Sequence, residues 1–398
     1  MNTFARIEST CSLLSLIFVI NCISKCLINF PLLLGTSVTQ GPNSTLSNSF
    51  NLTEMKIGMT SAYAVIFIIA LFGNSFGLFL VFKRSSSSRV TNLFIANMAV
   101  ADLLLTLTLM PYQVVFFYRG AVWPGGAMGT VTCKALLYVM PVSIAATVLT
   151  MLIISIDRFY VVFYPLRGKL FRKPRFLSAI IWILSLVLMI PYAFYSEVDF
   201  DKRHNAYLCL HFSSGADPYV VRIFHICLFV LLYALPLFIM AVLYVLICRK
   251  LWLRKIPGNL SSSNRAVMEM SKRKVVRLLA IIVVVFALCW FPTYVNHYLW
   301  FVRPTQGQQL PLGVQFVFLW LAHANSAINP CLYILLNDSF RRELISTLAC
   351  CVRFGCFNCQ PACRNMFCLG QFKRKQSARD KKLFMLTERS HRQSLEES

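Results

Sequence analysis

The chain has 398 residues, 57% of them hydrophobic and 14% charged, against roughly half and a quarter in an ordinary soluble domain. That composition argues against a water-soluble fold. The net charge of +24 would suggest a nucleic-acid partner in a soluble protein, but here the basic residues share the chain with long apolar blocks, and their placement decides what the charge means.

Residues 1–58 read as an extracellular amino-terminal segment. Within it, 11–34 is apolar but broken by Asn21, Lys25 and Asn29. A signal peptide fits, with Arg6 as a thin basic start and 11–23 as its apolar run, and an uncleaved leader fits equally well because no small-residue cleavage site stands out. Seven apolar stretches follow, at about 60–82, 92–114, 135–156, 176–195, 223–248, 278–302 and 311–336. Each reaches the roughly 20 residues that a helix needs to cross a bilayer, and only a helix satisfies its own backbone in hydrocarbon over one such run. Residues 59–337 are therefore expected to form an all-α membrane protein, a seven-helix bundle, and 338–398 a basic, cysteine-rich tail.

The charges orient this bundle. The first, third and fifth connections and the tail after 337 hold 29 Lys and Arg, the opposite face nine. Basic residues gather on the cytoplasmic side, which places the amino terminus outside and the carboxyl terminus inside a multi-pass plasma-membrane protein. The charge then reports topology and contact with the bilayer, and no nucleic acid is expected. The sequons at Asn43 and Asn51 fall on the outer side, where glycosylation is available; those at Asn259 and Asn337 fall inside.

One charged side chain sits within these stretches, Asp102, with Asp157 and Arg158 just past the end of the third. A lone carboxylate in a membrane is costly and marks a functional site. Asn74, Thr147, Asn325, Ser326 and Asn329 lie at comparable depths. They suit a hydrated polar cluster or oxygen ligands for a small hard cation, and equally a structural network of hydrogen bonds between helices. Pro236, Pro292 and Pro330 are expected to interrupt late helices and give the bundle places to pivot.

Taken in order, Gly73-Asn74, Asn92 through Asp102, Asp157-Arg158-Phe159, Trp182, Pro236 with Tyr244, Cys289-Trp290-Phe291-Pro292 and Asn329-Pro330-Cys-Leu-Tyr333 resemble the helix signatures of rhodopsin-like G-protein-coupled receptors over roughly residues 60–345. The resemblance implies a ligand pocket open to the outside and a cleft for a heterotrimeric G protein inside. It implies that Arg158, released from Asp157, contacts the G protein, that Tyr244 and Tyr333 turn inward to hold it, and that Phe286 and Trp290, just before Pro292, repack beneath the pocket. It assigns Asp102, Thr147, Asn325, Ser326 and Asn329 to a sodium cluster, and Cys133 and Cys209 to a disulfide over the pocket mouth. Two departures stand out: Phe159 replaces the usual tyrosine, and Ser271-Lys-Arg-Lys274 lacks the acid that many receptors set against the third-helix arginine. A lock of that kind is not expected, which leaves room for basal signalling.

For the ligand, Met140 stands where amine receptors place an aspartate, and His323 lies in a seventh stretch that lacks an opsin's lysine. A long second outer loop, 196–219, with Glu197, Asp199, Asp201 and Asp217 against Lys202 and Arg203, suits a basic peptide. Ala101-Asp102, Trp123 and Cys209-Leu210 resemble the neuropeptide Y, neuropeptide FF and tachykinin receptor branch. Candidate pocket residues are Gln113, Met140, Glu197, His225, Trp290, Asn296, His297 and His323. A receptor for a lipid or other small molecule is the alternative, and a transporter a further one, although no repeat or second buried acid supports it. No catalytic constellation points to an enzyme, and no cofactor is expected beyond an allosteric sodium ion.

In the tail, 337–348 reads as a short amphipathic eighth helix lying in the membrane interface, with Phe340, Leu344 and Leu348 on its apolar side. Cys350 and Cys351 behind it are candidates for palmitoylation. Ser377, Thr387, Ser390, Ser394 and Ser398 are candidate phosphate acceptors for an arrestin contact.

Overall fold

A computed structural model describes residues 44–83, 89–164, 170–171, 173–202, 205–212, 217–253, 263–303, 310–336 and 340–345. The chain divides into two compact units, Met1–Phe340 and Arg341–Ser398. Among the described residues the first unit consists of helices and one β-hairpin. The helices are α1 (Ser44–Lys83), α2 (Arg89–Leu104), α3 (Met110–Arg119), α4 (Gly126–Phe163), α5 (Pro174–Leu188), α6 (Ile190–Tyr195), α7 (Pro218–Phe229), α8 (Leu235–Leu253), α9 (Ser263–Val302) and α10 (Leu312–Leu336), and the hairpin is β1 (Glu197–Asp201) with β2 (Ala206–Leu210).

Ten helices make seven rods, because proline chemistry divides three of the apolar stretches. A π turn, Leu105–Leu109, joins α2 to α3, and another, Val230–Ala234, joins α7 to α8. Each ends two residues before a proline, Pro111 and Pro236. Proline lacks an N–H and crowds the carbonyl four residues back, and one wider turn relieves both problems. At Pro191 the response is a break: Met189 leaves the helical region at φ −96° and ψ 3°, and α6 restarts after it. Of the three expected interruptions, only Pro236 is associated with a change of helical register. Pro292 and Pro330 lie inside continuous helices, as does Pro141 in α4.

Five segments are long and apolar enough to cross a membrane: Thr53–Phe82, Leu93–Arg119, Gly126–Phe163, Pro218–Leu251 and Arg273–Val302. The apolar helix α5 is shorter, with α6 extending its rod. The remaining rod, α10, has the length, but His323, Asn325, Ser326 and Asn329 interrupt its apolar run. All four are buried, so its polarity faces protein. The outer faces of the rods show the reverse, with Phe72, Phe238 and Leu288 exposed. Buried polar groups beneath an apolar exterior suit a lipid solvent, and such broad apolar exposure is rare on soluble monomers.

The rods close on one another: α1 packs on α2 and α10, α10 on α9, α9 on α7 and α8, α8 on α4, and α4 on α2, α5 and α6. The central cluster runs from Leu80 and Phe94 through Phe286 and Trp290 to Tyr333 and Phe340. Gly73 sets the approach of α1 to α10, since a Cβ there would lie 2.5 Å from the Pro330 ring carbons.

The hairpin pairs Glu197 with Leu210 and Asp201 with Ala206. Val122, between α3 and α4, adds a bridge to Leu208, reinforced by Trp123 N–H to the Tyr207 carbonyl (2.8 Å) and Cys209 N–H to the Ala121 carbonyl (2.9 Å). The disulfide Cys133–Cys209 ties this small sheet to α4.

Candidate functional site: a buried acid between an aromatic cluster and a basic rim

Asp102 is 1% exposed, and α10 supplies its partners. Ser326 Oγ donates to Oδ1 at 2.7 Å and Asn329 Nδ2 to Oδ2 at 3.0 Å. Residues 326 and 329 meet one carboxylate because a three-residue step on a helix returns to the same face. Asn74 of α1 donates to the carbonyls of Ser326 and Ala70, both at 3.0 Å, which joins three rods at this depth. Thr106 Oγ1 donates to the Asp102 carbonyl at 2.6 Å and Thr108 Oγ1 to that of Leu104 at 2.6 Å, where the π turn disturbs the regular ladder.

Thr147 and Asn325 are buried too, but neither bonds to the carboxylate. Thr147 Oγ1, Asn325 Oδ1 and Asn329 Oδ1 are enclosed without a hydrogen-bond partner in the protein. One carboxylate with hydroxyl and amide oxygens is a hard-cation donor set, and the unmatched atoms are the oxygens such an ion takes. The five residues therefore fit a small monovalent cation in their chemistry.

Toward the carboxyl end of α4, Arg158 pairs with Asp157 at 2.5 Å. Tyr244 accepts from Ser155 Oγ at 3.3 Å. The Tyr333 hydroxyl points to Met98 Sδ at 3.9 Å, and its ring rests near Phe340. The two tyrosines are engaged separately, on α4 and α2. Phe286 and Trp290 are buried with ring centroids 5.9 Å apart, and Pro292 follows on the same helix.

Two basic residues here escaped the sequence reading, which used them only to set topology. Lys250 Nζ donates to the Phe163 carbonyl at 3.2 Å and sits 4.0 Å from the centre of the Phe163 ring, itself stacked on Phe159. Arg273 Nη2 donates to the Leu251 carbonyl at 2.6 Å. Each cation serves the carbonyl end of a neighbouring helix, where the backbone has acceptors to spare.

The ligand-pocket candidates separate. Gln113, Trp290 and Asn296 are buried, and Met140 lies half-buried against the central cluster. His225 stacks on Phe301 at 3.6 Å with His297 at 6.4 Å, while its Nδ1 is 2.8 Å from the Val221 carbonyl. His323 turns to α1, its Nδ1 3.0 Å from the Tyr63 hydroxyl. Glu197 is on β1, half-buried. Phe212, which the sequence reading missed, follows the hairpin and lies within 6.3 Å, centroid to centroid, of Tyr192, Tyr195, Phe224, His225 and Phe301. Only its place just after a disulfide-pinned strand pointed to it.

Several expectations fall elsewhere. Asn43, Cys350, Cys351 and the tail's phosphate acceptors lie outside the described residues. Asn51 belongs to α1, which begins seven residues before it. Residues 340–345 are helical.

A family model described as 7 transmembrane receptor (rhodopsin family) matches residues 73–333. The matched span runs from Gly73, against Pro330, to Tyr333, and so includes the Asp102 cluster, the Arg158 end of α4 and the disulfide. That family consists of receptors, not enzymes or transporters, and this multi-pass membrane chain belongs to the rhodopsin family of seven-transmembrane receptors.

Proposed function

We propose that this receptor binds an extracellular peptide at the outer end of the bundle and promotes nucleotide exchange on a heterotrimeric G protein at the inner end. The observation that carries the peptide reading is the acidic strand. Glu197, Asp199 and Asp201 alternate along β1, so their side chains leave the same face of the hairpin, and the disulfide holds that hairpin to α4. A fixed row of carboxylates suits a basic peptide and steers its approach. In this reading the receptor sits in the plasma membrane with its amino terminus outside and its tail inside. Glycosylation at Asn43 and Asn51, palmitoylation at Cys350 and Cys351 and an arrestin contact through the tail belong to the same proposal.

Transmission across the bundle is a population shift, since a ligand moves an equilibrium only by its differential affinity for the two states. Trp290 and Phe286 lie beneath the outer candidates and pass a change in α9 inward. Asp102, Ser326, Asn329, Thr147 and Asn325 would hold a sodium ion, which supplies charge balance for the buried carboxylate. Release of Arg158 from Asp157 would free its guanidinium for the G protein, with Tyr244 and Tyr333 leaving Ser155 and Met98 to support it.

The test is nucleotide exchange in membranes of cells expressing the chain, challenged with a library of synthetic basic peptides. Activation is expected, with at least a tenfold loss of potency when Glu197, Asp199 and Asp201 are all changed to Ala, and near-complete loss of agonist-driven exchange in Arg158→Ala. A lipid that activates where no peptide does would remove the peptide reading, and unchanged exchange in Arg158→Ala would remove the role of that arginine.

A further inference from the structure

Three imidazoles meet where α6, α7, α9 and the segment after β2 converge. His225 is buried on α7, His297 half-buried on α9, and His211, just past β2, keeps contact with solvent. The His225 and His297 rings are 6.4 Å apart, and the Tyr192 ring of α6 lies 6.3 Å from His225 and 6.4 Å from His211. All three are close enough for a charge on one to act on another. The rest of the enclosure is aromatic. Phe301 stacks on His225 at 3.6 Å and stands 6.1 Å from His297, with Phe212 and Phe224 at 5.2 and 5.8 Å from His225.

The hydrogen bonding shows where a proton would go. Nδ1 of His225 is 2.8 Å from the Val221 carbonyl. A carbonyl only accepts, so that nitrogen carries the hydrogen and Nε2 is the basic position. The titratable groups on the surrounding elements supply no counter-charge. Tyr192 and Tyr195 of α6 and Tyr294 of α9 are phenols, neutral at physiological pH. Asp217, at the head of α7, accepts from Tyr219 N–H at 2.8 Å. Glu197 lies beyond Ser196, whose hydroxyl donates to the His211 carbonyl at 3.2 Å. Arg222 of α7 and Arg303 after α9 are exposed and of the same sign as an imidazolium. Among the described residues no acid pairs with these rings.

An imidazole changes charge near pH 6.5 in water. A first proton on this cluster places a cation among aromatic rings, where the Phe301 face gives partial compensation, and a second adds a like charge beside it. The packed cluster therefore binds protons less readily than a state in which the rings have separated and met water. Falling pH favours the state that binds more protons, so the packed junction is at full strength above about pH 6.5 and weakens below it.

We propose that His211, His225 and His297 form a proton site through which the receptor responds to acid outside the cell: neutral, the cluster fastens α7 to α9 and to the hairpin's end; charged, it releases them. The proposal rests on the orientation proposed above, which gives this end of the bundle to the external medium. In that same reading the Arg158–Asp157 pair belongs to the closed state, so release of the cluster favours the open one. One ring that titrates at its ordinary value once released multiplies the open population about tenfold between pH 7.5 and 5.5.

Two measurements on the full chain test it, and neither uses a peptide, so the outcome is independent of the peptide reading. In lipid nanodiscs the thermal midpoint of the native chain is expected to fall by several degrees from pH 7.5 to 5.5. The double variant His225→Phe/His297→Phe keeps flat rings that cannot titrate, and its midpoint should fall by less than about half as much; the milder single variant His297→Gln should lie between the two. In right-side-out vesicles holding G protein at a fixed internal pH, basal nucleotide exchange is expected to rise about three- to tenfold when the outer medium alone is brought to pH 5.5, with most of the rise lost in the double variant. Equal pH dependence of the midpoint in native chain and variants overturns the proton site, and a rise in exchange that the variants keep overturns it as well. A cluster that titrates in nanodiscs while exchange ignores the outer medium overturns the link to external acid. Exchange that follows the inner pH instead, in the native chain alone, would place the error in the orientation.

Discussion

Two clusters in the bundle leave different atoms unmatched. Around Asp102 they are oxygens, Thr147 Oγ1, Asn325 Oδ1 and Asn329 Oδ1; toward the outside they are mainly N–H groups, on Gln113, Trp290 and Trp320. The deeper half has an acid and asks for a cation, whereas the outer half has no buried charge and asks for acceptors. The two sets share α10, which carries Asn325 and Asn329 of one and Trp320 of the other.

The largest expected effect concerns how the halves are held. The outer half depends on a covalent link, and the disulfide closes a separation of 76 residues. Chain-entropy arithmetic assigns such a loop about 4.5 kcal/mol. Cys209→Ser is expected to cost most of that and to release the hairpin, so cell-surface receptor measured by antibody should fall several-fold and peptide response should disappear. Full peptide potency in the serine variant would show that the acidic strand needs no pinning.

The deeper half instead depends on close approach. Gly73→Val places branched carbons against the Pro330 ring beside Asn74, and overpacking of this kind costs about 1–3 kcal/mol. The expected outcome is a thermal midpoint lowered by several degrees, with Asn74 displaced from the Ser326 carbonyl. A cation bound at ten times its dissociation constant stabilises by about 1.4 kcal/mol, so replacing sodium with choline should lower the midpoint of the native chain by a few degrees. Asp102→Asn removes the charge while preserving the shape, and its midpoint should not respond to the exchange of salts. A native chain indifferent to sodium would reduce the Asp102 cluster to structural hydrogen bonding.

The contrast between the halves also separates what was legible in the sequence from what was not. Asp102 with Ser326, Asn329 and Asn74 was readable because a lone acid in an apolar run demands partners and α10 repeats its polar residues at helical spacing. The disulfide followed from the family resemblance. The π turns before Pro111 and Pro236 were not readable, since a proline specifies a problem and the packing around it selects among a kink, a wide turn and a break. Neither was the direction of His323, because rotation about a helix axis decides whether an imidazole faces the bundle centre or Tyr63. The aromatic setting of Phe212 is tertiary throughout: its five ring partners come from α6, α7 and α9, and no local pattern joins them.

The smallest effect tests the inner rim. This chain has no acid at Ser271-Lys-Arg-Lys274 to hold the third rod to the sixth, yet α9 is still fastened inside: Arg273 donates to the Leu251 carbonyl of α8, and Lys250 of α8 donates to the Phe163 carbonyl of α4. The two bonds form a relay of cation to helix end that links α9 to α4 through α8. An outward swing of α9 on activation would have to break the Arg273 bond to α8, so that bond would stabilise the closed state. A charge-assisted hydrogen bond is worth about 1.5–3 kcal/mol when buried, and the half-exposed position of Arg273 reduces that to about 1 kcal/mol. Removing it therefore multiplies the small open population about fivefold. Arg273→Ala is expected to raise basal nucleotide exchange two- to fivefold with little change in agonist-saturated exchange, and Arg273→Lys, which retains a donor and the charge, should restore most of the restraint. A basal rate unchanged in Arg273→Ala would place the inner fastening elsewhere, whereas a rise that Lys does not reverse would assign it to the shape of the guanidinium.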